Sequence, residues 1–383
     1  SHLYNCRSPI PQGTCNLDLF FYVPTLLRMN VPRQGRNAII LLLALAGNAT
    51  AAVFTESASL RTYAVTLRDQ SLLSSDSYQA PTDLQRTQFS QMATHIAAGN
   101  LIDADTIALT LGYEVVNFTD TFSNREFYLL REATVANKVI NGWGSYFYNP
   151  NSTRSVLIEA PHIRFDTHSY DVATVAFRQS DASALMFNGA DRNSNGNNAS
   201  DVAHLATSIF QTVHETWTTS AAVQAWQIHG FNIENHNTIP AGTDVVLSNG
   251  DGSVSQEVKN LDAAFQNASF INDAESIAHD YNTLDMSDPD NVEVNGNISG
   301  SKMASLGATT NVQGIFTRSL GGTFVHIELE QSIRLDGTLA EDLANRETAG
   351  NVVANAIQAV PEPSSAGLLL LTGLGFLLSR NRR

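Results

Sequence analysis

Val156-Leu157-Ile158-Glu159-Ala160-Pro161-His162 is a short apolar run that stops at Pro-His. A run of that length reads as a buried strand opening into a loop. Downstream of it the pattern alternates. Residues 170–178 predict a helix, 184–187 a strand, and the Gly/Asn/Ser-rich stretch 189–200 a loop. Residues 201–218 predict a helix, with Val202, Leu205, Ile209, Phe210 and Val213 on one broad face. Asp201 is expected to cap it or to sit among its first-turn acids. Strands are expected at 225–231, 244–247 and 324–329, and helices at 256–267 and 339–359. Strands alternating with helices predict an α/β fold, a three-layer sandwich around a mixed, mostly parallel sheet. Ligands in such sheets sit beyond the strand C-terminal ends, where loops converge.

Upstream, the signals between 52 and 150 are mixed. Residues 82–99 predict a helix capped by Thr82 and ended by Gly99, and 127–131 and 145–148 read as strands. This α/β segment is given no role, whereas 151–359 form the core segment expected to carry chemistry. No repeat period is visible, which argues against solenoids and propellers. Trp143, Trp217 and Trp226 are expected mainly in the core rather than on a carbohydrate platform.

The chain carries 37 acidic and 22 basic side chains, a formal net charge of −15. Residues 1–51 and 360–383 are basic, so the body between them is more acidic still. Such a surface repels nucleic acid and anionic polymers, so no nucleic-acid partner is expected. Both cysteines, Cys6 and Cys15, precede residue 52.

The two ends read as addresses. Arg33 and Arg36 precede the apolar stretch 38–46, and Ala49-Thr50-Ala51 follows. That is the order of a secretory signal peptide over 29–51, with Met29 as the expected translation start and 1–28 expected to be a gene-model extension ahead of it. At the other end, 360–383 hold Pro361-Glu362-Pro363, an apolar run over 366–378 read as a short transmembrane helix, and Arg380, Arg382 and Arg383. The prolines keep the triplet extended, and about 13 residues of helix span roughly 20 Å, short for a bilayer. This tail resembles the PEP-CTERM sorting signal of Gram-negative bacteria. The resemblance implies passage through the export machinery, transient anchoring in the inner membrane, and processing at the triplet by an exosortase-type enzyme. The destination it implies is the cell surface or extracellular matrix.

Six of the ten histidines lie between positions 162 and 236. His162 follows a strand, with Asp166 four residues on, and His229 ends another strand beside Gly230. Imidazole and carboxylate are both zinc ligands, and a loop can bring them onto one ion. In Phe324-Val-His-Ile-Glu-Leu-Glu330, period two puts His326, Glu328 and Glu330 on one face. Glu330 or Glu328 is the expected general base. His204 competes as a ligand. It stands ten residues before His214, about 80° away on an ideal helix, so one ion could not easily take both. His214-Glu215 lacks the second histidine of a zincin, because Thr218 stands there. Arg192 is a candidate for a substrate carboxylate, and Asn311 and Gln313 for lining the same cleft. Asp191, Asn193 and Asn195 alternate before Gly196 like the first half of a calcium loop.

The order 158–162, 227–229 and Glu328 or Glu330 resembles the zinc-dependent amidohydrolases and peptidases: N-acetylmuramoyl-L-alanine amidases, zinc carboxypeptidases and N-formylglutamate amidohydrolases. The resemblance covers residues 150–335 in short patches. It implies zinc held by His162, Asp166 and His229, and cleavage of an amide bond in a peptide or peptidoglycan-like substrate. It departs from the carboxypeptidase His-x-x-Glu, because Arg164 and Phe165 precede Asp166. The alternative is a non-catalytic surface or matrix protein, polysaccharide-associated and calcium-binding.

Overall fold

A computed structural model describes residues 53–236, 243–251, 255–268, 292–294 and 306–360. The signal-peptide and sorting stretches, including Pro361, Glu362 and Pro363, lie outside the described residues, as does most of the acidic stretch 274–299. Among the described residues no helix is long and apolar enough to cross a membrane.

In chain order the elements are β1 (Phe54–Ala58), α1 (Leu60–Gln70), α2 (Asp83–Ala97), α3 (Leu101–Leu111), β2 (Tyr113–Asp120), β3 (Arg125–Glu132), β4 (Thr134–Val135), β5 (Lys138–Val139) and β6 (Ser145–Tyr148). Then follow β7 (Val156–Ala160), α4 (Ser169–Gln179), β8 (Ala184–Phe187), α5 (Ile209–Trp217), β9 (Gln224–Phe231), β10 (Val245–Ser248), α6 (Gln256–Phe265) and β11 (Val292–Val294). The chain closes with α7 (Val312–Ser319), β12 (Thr323–Glu330), α8 (Gln331–Arg334) and α9 (Leu339–Ala359).

Ten strands form one mixed sheet in the order β1-β2-β3-β6-β8-β7-β9-β12-β10-β11, while β4 and β5 form a separate ribbon. The four strands β8-β7-β9-β12 are mutually parallel. The chain passes from β7 through α4 to β8 on one side, and β9 lies on the other, so loops diverge at the ends of β7 and β9. Such a switch point leaves a crevice at the strand C-termini.

Side chains on the two sheet faces enter two cores. One holds Ile158, Trp226, Ile228, Val325 and Ile327 under α1, α4, α6 and α9. The other holds Tyr113, Leu130, Tyr146, Leu157 and Met186 under α2, α3 and α5. The layers are therefore helix, sheet, helix, as expected, and Trp143, Trp217 and Trp226 are all buried. Strands β1, β2, β3 and β6 extend the same sheet, so the stretch before residue 150 completes the core. Helix α2 starts at the expected Thr82 with a full capping box to Gln85. Helix α9 crosses α4 at Gly350, where an added Cβ would lie 2.5 Å from Val175.

One predicted helix is shorter than its pattern. Residues 201–208 form turns, and α5 starts at Ile209 with Ser208 as cap, its hydroxyl accepting from Gln211 N at 3.0 Å. Asp201 is not the cap, because its carboxylate is engaged elsewhere. Helix α1 went unpredicted although its buried Leu60, Tyr63, Ala64 and Leu67 follow helical spacing. Strand β2 packs on both faces, so it lacks the alternation that marks a half-buried strand.

Candidate metal centre

Past the end of β7 the chain makes a tight turn, with Asp166 N donating to His162 O at 2.8 Å. The turn brings the Asp166 carboxylate back over the His162 ring, Oδ2 lying 3.3 Å from Nδ1. Strand β9 delivers His229 from the other side, its Nδ1 2.9 Å from the same Asp166 Oδ2. The three are 2%, 4% and 4% exposed, and their ligand atoms lie within 4.8 Å of one another.

Both imidazoles hold a second acceptor at Nε2. For His162 it is Asp201 Oδ1 at 2.8 Å, and for His229 it is Gln227 Oε1 at 2.8 Å. The orientation of Gln227 follows from its surroundings. Its oxygen accepts from Asn311 Nδ2 at 2.5 Å, while its nitrogen donates to Glu159 Oε2 at 2.9 Å and Gln313 Oε1 at 3.3 Å. Gln227 Oε1 therefore accepts a hydrogen bond from His229 Nε2–H, so a neutral His229 carries its lone pair at Nδ1. In that form the lone pair faces a carboxylate oxygen, acceptor against acceptor, a contact that a cation between them or a proton at Nδ1 makes favourable. Two imidazole Nδ1 atoms converging on one carboxylate, each anchored at its far nitrogen, is the arrangement of metal ligands with outer-shell support. The donor set therefore fits a divalent ion such as zinc.

Burial disfavours every charge here, and the neighbours decide the outcome. Burial would lower His162, but Asp166 and Asp201 outweigh it and raise its pKa to about 9. Burial would raise Asp166, but His162 and His229 hold it well below the usual carboxylate range. Burial lowers His229, and the nearby His162 adds to that against the pull of Asp166. Asp201, despite burial, is drawn down to about 2 by His162 and then Arg192.

A cavity of about 620 Å³ opens on this cluster. Its wall includes Arg192, whose guanidinium donates to Asp201 and lies over the Phe165 ring, 5.3 Å from the centroid. Two arginines and five histidines line it against two carboxylates, Asp166 and Glu328. Arg334, the second arginine, spends its donors on the carbonyls of Leu329, Thr167 and Phe231. It lies against Gly230, where any Cβ would overlap the guanidinium.

The two expected bases separate. Glu328 lines the cavity, opposite His229 in the β9–β12 register. Burial, and then Asp166, push its pKa well above the usual carboxylate range. Glu330 shares the strand face but stands where β12 ends. It caps α8, accepting from Ser332 N at 2.5 Å and from Ile233 N at 3.1 Å. Against burial, those amides lower its pKa, and it lines a different cavity from His162. His204 is exposed at the rim, 3.2 Å from Thr310 O, and belongs to neither of the ligand groups among the described residues. Asn311 lines the cavity and caps α7 through Gly314 N at 2.9 Å. Gln313 is fully buried behind it, donating to Val202 O and Gln211 Oε1 at 3.0 and 2.8 Å. Asp191 accepts from Asn193 N at 2.9 Å, and Asn195 Nδ2 donates to Tyr78 O at 2.6 Å, tying the loop to itself and to the stretch before α2.

Sequence reading missed Asp201 and Gln227, and named His326 without a role. Gln227 was within reach, since period two puts it on the His229 face. Asp201 carries no local signal, because its partner is 39 residues away.

No protein-family profile matches the sequence, and no curated protein matches it. Among solved structures, it is similar to a candidate carboxypeptidase A from Shewanella denitrificans OS-217, at 10% identity over 66% of each chain and a TM-score of 0.35. Candidate metallopeptidases from S. denitrificans OS217 and Shewanella amazonensis SB2B align at 12% and 10% identity, with a TM-score of 0.31 each. They cover 69% and 73% of this chain, and 92% and 98% of their own. At those scores the likeness says nothing about activity.

Proposed function

We propose that this chain is a metal-dependent hydrolase of amide bonds in a peptide or peptidoglycan-like substrate. The observation that carries the reading is the convergence of two buried imidazole Nδ1 atoms on Asp166 Oδ2, at 3.3 and 2.9 Å. His162, Asp166 and His229 would hold zinc, which when bound polarises a carbonyl and acidifies water within its reach. The remaining work belongs to the chain. Glu328 takes a proton from the attacking water at its carboxylate and returns it to the leaving nitrogen. Glu328 acts as base in its ionised form, which burial opposes and which a divalent charge held by His162, Asp166 and His229 would favour. Arg192, oriented by Asp201, pairs with an anionic end of the substrate. Arg192, at the wall of the cavity, supplies local positive charge for such a substrate in a chain of net charge −15.

Metal analysis of the purified protein tests this reading. Zinc near one equivalent, lost in His229→Ala, is the expected result, and a protein empty of transition metal after zinc loading overturns it. Calcium at Asp191, Asn193 and Asn195, without zinc, would favour a non-catalytic surface or matrix protein.

The proposal for location rests on residues 29–51 and 360–383 alone. The chain is exported, held briefly in the inner membrane through the apolar stretch 366–378, and processed at Pro361-Glu362-Pro363 by an exosortase-type enzyme. Deleting 361–383 should release it into the medium, and unchanged membrane retention would refute the sorting role.

A further inference from the structure

A second group of donors adjoins the first. His229, His326 and Glu328 are all buried and each offers a ligand atom within 4.8 Å of the others. The His229 and His326 rings are 4.7 Å apart between centroids, and His326 Nε2 lies 3.6 Å from Glu328 Oε1. His326 lines the cavity, is 4% exposed, and its Nδ1 has no hydrogen-bond partner among the described residues. A buried ring nitrogen left without a partner is costly, and in a native protein it calls for water or an ion. Packing alone does not ask for an imidazole here. The alternate residues of β12, Val325, Ile327 and Leu329, build the apolar core on the other face, whereas His326 faces the polar cleft.

We propose that His229, His326 and Glu328 form a second cation position beside His162, Asp166 and His229. Occupancy of the two is mutually exclusive, because they share one nitrogen. With Nε2 of His229 hydrogen-bonded to Gln227, that residue has a single lone pair to give. Imidazole nitrogen and carboxylate oxygen suit zinc or cobalt rather than calcium. An ion in the second position draws on Glu328, the proposed base, so it holds the site in an inactive arrangement. The donor geometry stands without the hydrolase reading; only this last consequence rests on it.

Cobalt(II) titration, followed by its visible bands and by calorimetry, tests the idea. Wild-type protein should saturate at one equivalent. Asp166→Ala, which disables the first position, should still take up one equivalent, weakened at least about tenfold. Adding His326→Ala to that variant should abolish uptake, whereas His326→Ala alone should keep the tight equivalent. His162→Gln disables the first position by another route and replaces Asp166→Ala if that variant does not fold. A first-position variant that folds but binds no cobalt overturns the proposal, as does a double variant that binds as well as Asp166→Ala. Two simultaneous equivalents in the wild type overturn the exclusion. Failure of the wild type to take up cobalt would remove both positions, whereas tight uptake by the wild type with none in a folded first-position variant removes only the second, so the two failures are distinct.

Discussion

Two histidine–carboxylate clusters lie on the same face of the sheet and differ in how their polar atoms are satisfied. Glu159 and His214 are both fully buried, with Glu159 Oε1 2.6 Å from His214 Nδ1. His214 Nε2 meets Thr317 Oγ1 at 3.0 Å, and Glu159 Oε2 accepts from Gln227 at 2.9 Å. Nothing there is left over, and no solvent reaches it. At His162, Asp166 and His229 two ring nitrogens converge on one oxygen beside a cavity. The first cluster is a scaffold, complete without a guest. The second is balanced by added positive charge, from a proton or from a cation. Gln227 links them, one end of its amide on Glu159 and the other on His229. The same residue types thus serve opposite purposes, and the number of unspent lone pairs tells the two apart.

The sharpest way to break this comparison is at the cavity. Glu328→Gln should lower kcat on a cleaved peptide by about 10²- to 10⁴-fold with little change in KM, the usual range for a lost general base. Equal activity in that variant would remove Glu328 from the chemistry. Glu330→Gln, the neighbouring cap, should leave kcat unchanged.

Damage to the scaffold cluster should read out differently. Glu159→Ala strands a buried imidazole and should cost about 3–5 kcal/mol in urea unfolding, with a smaller effect on metal affinity through Gln227. Loss of metal at unchanged stability would show that the two clusters had been assigned the wrong way round.

Gln227→Leu severs the link. It should weaken zinc about 10- to 100-fold in competition titration, the cost typical of an outer-shell partner. Unchanged affinity would mean that Asp166 alone orients His229.

The smallest effect concerns a carboxylate far from both clusters. Burial would raise Asp120, but the amides of Leu60, Phe122 and Ser123 and the Ser123 hydroxyl hold its pKa below the model-peptide value. A depressed carboxylate stabilises the fold above its unfolded pKa, about 3.9, and that contribution fades as pH falls through the folded value. Asp120→Asn should therefore flatten the acid limb of a thermal-unfolding profile by about 1 kcal/mol at most, leaving stability near pH 7 slightly reduced. An unchanged acid limb would show that Asp120 contributes nothing there.

Local pattern carried much of this molecule. The bounds of α9, β6 and β8 follow their sequence patterns to the residue, and the short run before Pro161 does end in a strand that hands His162 to the cleft. Those readings succeed because helix and strand periodicity are properties of neighbouring residues. Pattern also overreached. Residues 201–208 look helical, but Ser208 takes the cap and Asp201 is drawn to His162 and Arg192.

By itself the sequence determined the α/β alternation, the acidic body between two address-like ends, and the strand face that carries His326 and Glu328. Only the tertiary structure decided that Glu328 faces His229 while Glu330 turns to cap α8, that Asp201 anchors His162, and that Gln227 sets the proton on His229. Those outcomes depend on which strands neighbour which. Contacts across the sheet and onto α7 join residues 68 to 86 positions apart, as from Gln227 to Glu159 and Gln313, and no local window contains that information.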